Sequence, residues 1–218
     1  NNELDVESLL RSSASKGNVY SQYEISLIDD DLEMIKTSAD RGVEGASYTY
    51  ATRIKESDSN QAIQYYTKAA EQENDPKAMV EVAQFLWTSN PHKCSTFLKN
   101  AMKLKYARSY TLYGRYLIDQ KERKEHSSLI MSHLSNFSEN DIDLDLIDDQ
   151  LDDNESSQKV EEEAAHYYHI GASLNDTKGM LYYGLAFIDG KGVSKNYSKA
   201  HKYLKKSADN GDIEGMVQ

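Results

Sequence analysis

Apolar residues along this chain recur at spacings of three and four, as in Ala62, Tyr65, Tyr66, Ala69 and Ala70, and again in Ala200, Tyr203, Leu204 and Ala208. That period belongs to helices with one buried stripe, and no stretch alternates as a half-buried strand would. The pattern predicts helix throughout, in segments of roughly ten to fifteen residues joined by tight turns. The two prolines, Pro76 and Pro91, each follow a residue that caps helix starts well, Asp75 and Asn90. Proline is tolerated in the first turn because its missing N–H has no intrahelical partner there, so both mark helix beginnings.

The helices also repeat. Ala164–Met180 laid on Ala200–Met216, an offset of 36 residues, matches Ala164 with Ala200, Tyr167 with Tyr203, Ala172 with Ala208, Asp176 with Asp212 and Gly179 with Gly215. "SADRGVEGA" (Ser38 to Ala46) aligns without a gap on "SADNGDIEG" (Ser207 to Gly215), with looser copies at Ala69–Ala78, Ala101–Ser109 and Ser13–Ser21. Each copy opens a helix with a small residue, an apolar one four later, another small one five later and an apolar one eight later. The instances are Ala46, Tyr50, Ala51, Ile54; Ala78, Val82, Ala83, Leu86; Ser109, Tyr113, Gly114, Leu117; and Gly179, Tyr183, Gly184, Phe187. At 100° per residue these positions share one face, and two side chains so small let a neighbouring helix approach closely. The helix before each copy ends at a residue such as Gly42 or Gly211, suited to a left-handed cap. Gly190-Lys191-Gly192 is expected to hinge the last pair, with Asn196 capping its second helix.

The run "GMLYYGLAFIDGKGVSKNYSKAHKYLKKSADNGDIEG" resembles the Sel-one-like repeat, a relative of the tetratricopeptide repeat, through Gly179, Tyr183, Gly184, Phe187, Gly190, Gly192, Val193, Lys199, Ala200, Tyr203, Ala208 and Gly211. The resemblance is strong over residues 160–216, while the earlier repeats lack the Gly-x-Gly-Val turn. It implies an all-α fold, a right-handed α-solenoid of stacked antiparallel helix pairs that binds other proteins and scaffolds complexes. Three regions are expected: divergent repeats over 1–120, an insertion over 121–157, and repeats over 158–218 with the last one truncated. Stacked repeats contact only their neighbours, so a solenoid also has an extended inner surface without packing duty.

Charge singles out the insertion. The chain has 36 acidic and 25 basic residues, and nine of the carboxylates, with no Lys or Arg, lie in "SENDIDLDLIDDQLDDNESS" from Ser138 to Ser157. Without these nine, 27 acidic residues face 25 basic ones, so the net charge of −11 resides almost wholly in this segment. Such a run solvates itself as a surface loop. Ile142, Leu144, Leu146, Ile147 and Leu151 threaded through it give a second reading, docking on a basic partner or back on the chain. Asp141, Asp143 and Asp145 have the spacing of a calcium loop, but Leu146 stands where such a loop turns on Gly and Asp152 where it needs Glu. Leu129, Ile130 and Leu134 suggest one extra helix before the run.

Mean hydropathy of −0.74 and the lack of any long apolar run argue against membrane insertion. One cysteine, Cys94, cannot form an internal disulfide and aligns with Ala62 and Ala200 as a small core residue. A cytoplasmic location is expected, with the secretory pathway as alternative because sequons start at Asn136, Asn154, Asn175 and Asn196. The chain starts at Asn1 and stops within a repeat at Gln218, as a fragment of a longer protein would.

Catalytic patterns are thin. His166 and His169 share a helix face but align with Lys202 and Lys205, solvent positions, so neither metal nor cofactor is expected. His92, Cys94 and His126 lack ligand spacing. Ser13 to Lys16 and Ser156 to Lys159 match Ser-x-x-Lys without the Ser-Asp-Asn or Lys-Thr-Gly partners of penicillin-recognising enzymes. Basic residues cluster only in "KYLKK" and "KERK", too few for nucleic acid in so acidic a chain, and most of the 16 tyrosines fall on the buried stripe. The sequence thus points to a non-catalytic adaptor or scaffold that holds a protein or peptide on its concave face. The alternative is a regulatory repeat region of a larger enzyme. Positions three and six of each first helix face away from the packed stripe, which nominates Thr49, Thr52, Glu81, Gln84, Leu112, Arg115, Tyr182 and Leu185 as partner-binding residues.

Overall fold

The computed structural model describes residues 2–135 and 153–211. Among them are eleven helices and no strand: α1 (Asn2–Ser15), α2 (Val19–Ile28), α3 (Leu32–Asp40), α4 (Ala46–Ile54), α5 (Ser59–Gln72), α6 (Pro76–Phe85), α7 (Pro91–Lys103), α8 (Ala107–Ser135), α9 (Asp153–Ser173), α10 (Thr177–Asp189) and α11 (Tyr197–Asp209). They form two compact units, Asn1–Lys105 and Tyr106–Gln218. The boundary drawn at residue 120 from sequence therefore falls inside α8.

Helix starts follow one device. An Asp or Asn side chain before the helix accepts from a first-turn N–H: Asn18 from Ser21, Asp31 from Met34, Asp58 from Gln61, Asp75 from Ala78, Asn90 from Lys93, Asp176 from Gly179 and Asn196 from Lys199. Pro76 and Pro91 occupy first-turn positions as expected. The α4 helix has no such side chain, because Gly45 precedes it; Glu73 reaches over instead, and its Oε2 accepts from the Gly45 N–H at 3.0 Å.

The ends of the second helices share a device too. The residue after each adopts a left-handed conformation, with φ of 76° at Gly42, 55° at Asn74, 58° at Lys105, 69° at Asn175 and 86° at Gly211. Glycine and asparagine take this conformation readily, whereas a lysine Cβ is crowded there by about 1 kcal/mol. Lys105→Gly is accordingly expected to stabilise the fold by about 0.5–1 kcal/mol, net of the flexibility that glycine adds to the unfolded chain. Urea unfolding followed by circular dichroism measures it, and an unchanged or lower midpoint would contradict the strain.

In the N-terminal unit each helix packs on its neighbours in the chain. Ala46, Ala51, Ala62, Ala69, Ala78 and Ala83 are all at most 1% exposed, so the small residues of the repeat face neighbouring helices, not water. Cys94 is buried among them. In the C-terminal unit α8 packs on α9 and α10, α9 on α10, and α10 on α11. Contact here is tighter still. A Cβ added at Gly114 would lie 2.9 Å from the Ala164 carbonyl oxygen, at Gly179 2.7 Å from the Ala172 nitrogen, and at Gly184 2.9 Å from the Leu204 side chain. Thr111, fully buried, donates its hydroxyl to Asp176 Oδ2 at 2.7 Å, and that same oxygen accepts from the Gly179 N–H, which ties α8 to the start of α10.

Two helices are longer than the predicted ten to fifteen residues: α8 has 29 and α9 has 21. The helix ending near Leu117 and the extra helix over Leu129–Leu134 are one continuous element. No Gly or Pro lies between Gly114 and Ser135, and Asp119–Arg123 and Lys121–Glu125 pair at helical spacing along the exposed part. The α9 helix begins at Asp153, not near Val160. Of the acidic run, residues 138–152, with the calcium-loop positions Asp141, Asp143 and Asp145, lie outside the described residues.

Candidate protein-binding surfaces

The nominated residues divide between the two units. In the N-terminal unit α4 and α6 supply Thr49, Thr52, Glu81 and Gln84, and three of the four are engaged by neighbours. The Tyr23 hydroxyl pairs with Thr49 Oγ1 at 2.8 Å, the Tyr66 hydroxyl donates to Thr52 Oγ1 at 3.1 Å, and Lys55 Nζ donates to Glu81 Oε2 at 2.7 Å. That bond to Glu81 holds the Lys55 ammonium above the ordinary lysine range. Gln84 is exposed. An aromatic step lies beside them, with the Tyr48 and Tyr66 rings 5.6 Å apart and Lys77 Nζ 5.9 Å from the Tyr48 ring centre.

In the C-terminal unit one nominee is displaced. Leu112 is 2% exposed and among the largest fully buried side chains, so it is unavailable to a partner. From Thr111 to Gly114 every residue of α8 is buried, so the helix has no free side at this level. Arg115, one residue further round, is exposed.

Of the remaining three, Tyr182 and Leu185 line one cleft, and Arg115 lies against Tyr182 beside it. The Arg115 guanidinium carbon lies 5.1 Å from the centre of the Tyr182 ring, in reach of a cation–π contact. The Tyr182 ring is in turn 5.4 Å from that of Tyr168 on α9. Below them opens a cleft of about 120 Å³ walled by Ile118, Ala164, Tyr168, Tyr182, Leu185 and Ala186. Glu161, Asp189 and Lys191 bring charge to it. Lys121 Nζ donates to Glu161 Oε1 at 2.6 Å and neutralises that carboxylate. Burial pushes the Tyr168 hydroxyl well above the usual tyrosine range, so it stays a neutral donor and acceptor.

Tyr168, Ile118 and Ala164 were not nominated from sequence. The stripe Ala164, Tyr168, Ala172 on α9 carries the signal of a packed face, but which of its members borders a cleft depends on the neighbouring helices.

Other chemistry is sparse. His166 and His169 are exposed, each with its ring beside a tyrosine, Tyr167 at 5.8 Å and Tyr183 at 5.0 Å. Tyr65, Tyr167, Tyr183 and Tyr203 are half-buried, and their rings pack edge-on or tilted against neighbours. Among the described residues no group of three or more His, Cys, Asp or Glu could hold a metal ion, and no helix is long and apolar enough to cross a membrane.

The family model of the Sel1 repeat matches residues 46–74, 155–176 and 177–212. The chain is similar in structure to the Sel1 repeat protein from Oxalobacter formigenes, with a TM-score of 0.65 and 19% identity, over 91% of this chain and 74% of that one. A second likeness is to c5321, a protective antigen of uropathogenic Escherichia coli strains displaying an SLR fold. It has 16% identity and a TM-score of 0.48, over 96% of this chain and 50% of that one, too distant to bear on the fold. No curated protein matches. Sel1 repeats commonly mediate protein–protein interaction, and proteins built from them are in general non-catalytic scaffolds. With three matched segments and helices packed in consecutive pairs, the chain carries Sel1 repeats over residues 46–74 and 155–212 and has an all-α solenoid fold.

Proposed function

We propose that the chain is a non-catalytic adaptor that holds a partner protein or peptide against the exposed stripes of its first helices. The observation that carries this reading is the cleft lined by Tyr182 and Leu185, with Arg115 beside Tyr182. Side chains the repeat does not need for stacking converge there on a concave, apolar space with polar groups at its edge, the form of a recognition site. In the N-terminal unit Gln84 and the half-buried Tyr48 offer the mixture of hydrogen-bonding and aromatic contact that suits an extended peptide. The whole chain, used as bait against a displayed library of random peptides, is expected to select ligands. Hydrogen exchange in their presence is expected to slow at α4, α6, α8 or α10. Protection confined to α5, α7 and α11, or no selected ligand, would remove the basis of the reading.

A further inference from the structure

We propose that the cleft of the C-terminal unit takes one bulky apolar side chain, of leucine or phenylalanine size, from an acidic peptide whose carboxylate pairs with Arg115. This rests on the adaptor reading and specifies its ligand. A dry apolar cavity of about 150 Å³ is sufficient to admit benzene, so the roughly 120 Å³ here suits one large side chain and no more. Ile118, Tyr168, Tyr182 and Leu185 supply its apolar walls.

The charge around it selects the flanking residue. On the lining, Glu161 is paired with Lys121, which leaves Lys191 and Asp189, while Arg115, beside Tyr182, and the exposed Glu122 both act on Tyr168 from α8. Among the described residues neither Arg115 nor Lys191 has a carboxylate within ion-pair distance. The Arg115 guanidinium lies over the Tyr182 ring, and a guanidinium so placed can give a carboxylate two parallel N–H bonds. A lysine at this position could neither stack so nor bind in two places.

Display-selected peptides, titrated by fluorescence anisotropy against the whole chain and its variants, test this. The selected sequences are expected to share one Leu, Phe or similar residue within a few positions of Asp or Glu. Arg115→Ala is expected to weaken them about tenfold or more, Arg115→Lys nearly as much, and Leu185→Asp to abolish binding, while Lys93→Gln, on the exposed side of α7, changes nothing. Circular dichroism melts of the variants establish that they remain folded. Peptides without a carboxylate, or bound equally by Arg115→Ala, overturn the proposal. If binding is lost in Gln84→Arg and kept in Arg115→Ala, the adaptor reading stands and this one fails; no ligand at all sinks both. If peptides bind only once Asp141, Asp143, Asp145, Asp148 and Asp149 are changed to Asn, the chain's own acidic run is the occupant, and the proposal is again overturned.

Discussion

Leu112→Glu is expected to unfold the C-terminal unit, where a substitution on an open binding face would leave it intact. The side chain is 2% exposed, and its neighbours Thr111 and Tyr113 are buried with it. Truncation alone, Leu112→Ala, removes a fully buried leucine and should cost about 2–5 kcal/mol. Glutamate adds an uncompensated charge, whose effective desolvation penalty is several kcal/mol more unless it takes up a proton. The total rivals the whole stability of a typical domain, about 5–15 kcal/mol. Urea titrations of the three proteins, followed by far-ultraviolet circular dichroism, should give a lowered midpoint for alanine and loss of a large part of the helical signal for glutamate at pH 7. Acid should partly rescue the glutamate variant, since protonation removes the charge but not the misfit. A glutamate variant with the parent midpoint would place Leu112 at the surface, where helix arithmetic alone had it.

Counting 100° per residue from the packed stripe succeeds wherever a first helix has one open side: Thr52, Gln84 and Arg115 are exposed, and Thr49, Glu81, Tyr182 and Leu185 are half-exposed. It fails at Leu112, where Thr111, Leu112, Tyr113 and Gly114 are buried in succession, because one helix's period cannot reveal which of its sides its neighbours cover. The residue type held a clue. Where the other copies carry Thr49, Glu81 and Tyr182, this one carries a leucine, the choice for a position that has lost its solvent.

Local signals were the most legible. Asp75, Asn90 and Asn196 cap helices, Gly42 and Gly211 end them in the left-handed conformation, and Ala46, Ala51, Ala78 and Ala83 sit in the contacts, because each depends on a few adjacent residues. The repeat frame carried further than the motif. Residues 46–74 match the family despite lacking the Gly-x-Gly-Val turn, and α6 with α7 forms the same kind of helix pair beyond any matched segment. The length of α8 was hidden, since a helix runs on where no stop residue intervenes, and charge spacing around Asp119 to Glu125 is a weaker sign than an apolar stripe. Tyr168, the floor of the cleft, was hidden for a different reason: a cleft belongs to three helices at once.

Gly192→Ala is expected to lower the stability of the C-terminal unit by about 2–4 kcal/mol and its melting temperature by about 10 °C. Two causes combine. The residue has φ of 67°, which costs a side chain about 1 kcal/mol wherever it occurs. An alanine Cβ would also overlap the carbonyl group of Glu161, in the interior of α9. That obstacle is helix backbone, which cannot rotate aside as a side chain would, so the turn after α10 must lift away from α9. Gly211→Ala separates the causes, because Gly211 has φ of 86° and nothing within 4 Å of the added carbon. It should show the conformational cost alone, about 1 kcal/mol. Equal losses in the two variants would mean that the turn is not seated on α9. A larger loss at Gly192 ties the turn to α9 and, with it, the position of Lys191, one residue earlier and on the lining of the cleft. Below its melting temperature the same variant should therefore bind the acidic peptides more weakly than Gly211→Ala does, linking the glycine that ends the repeat turn to the charge that selects its ligand.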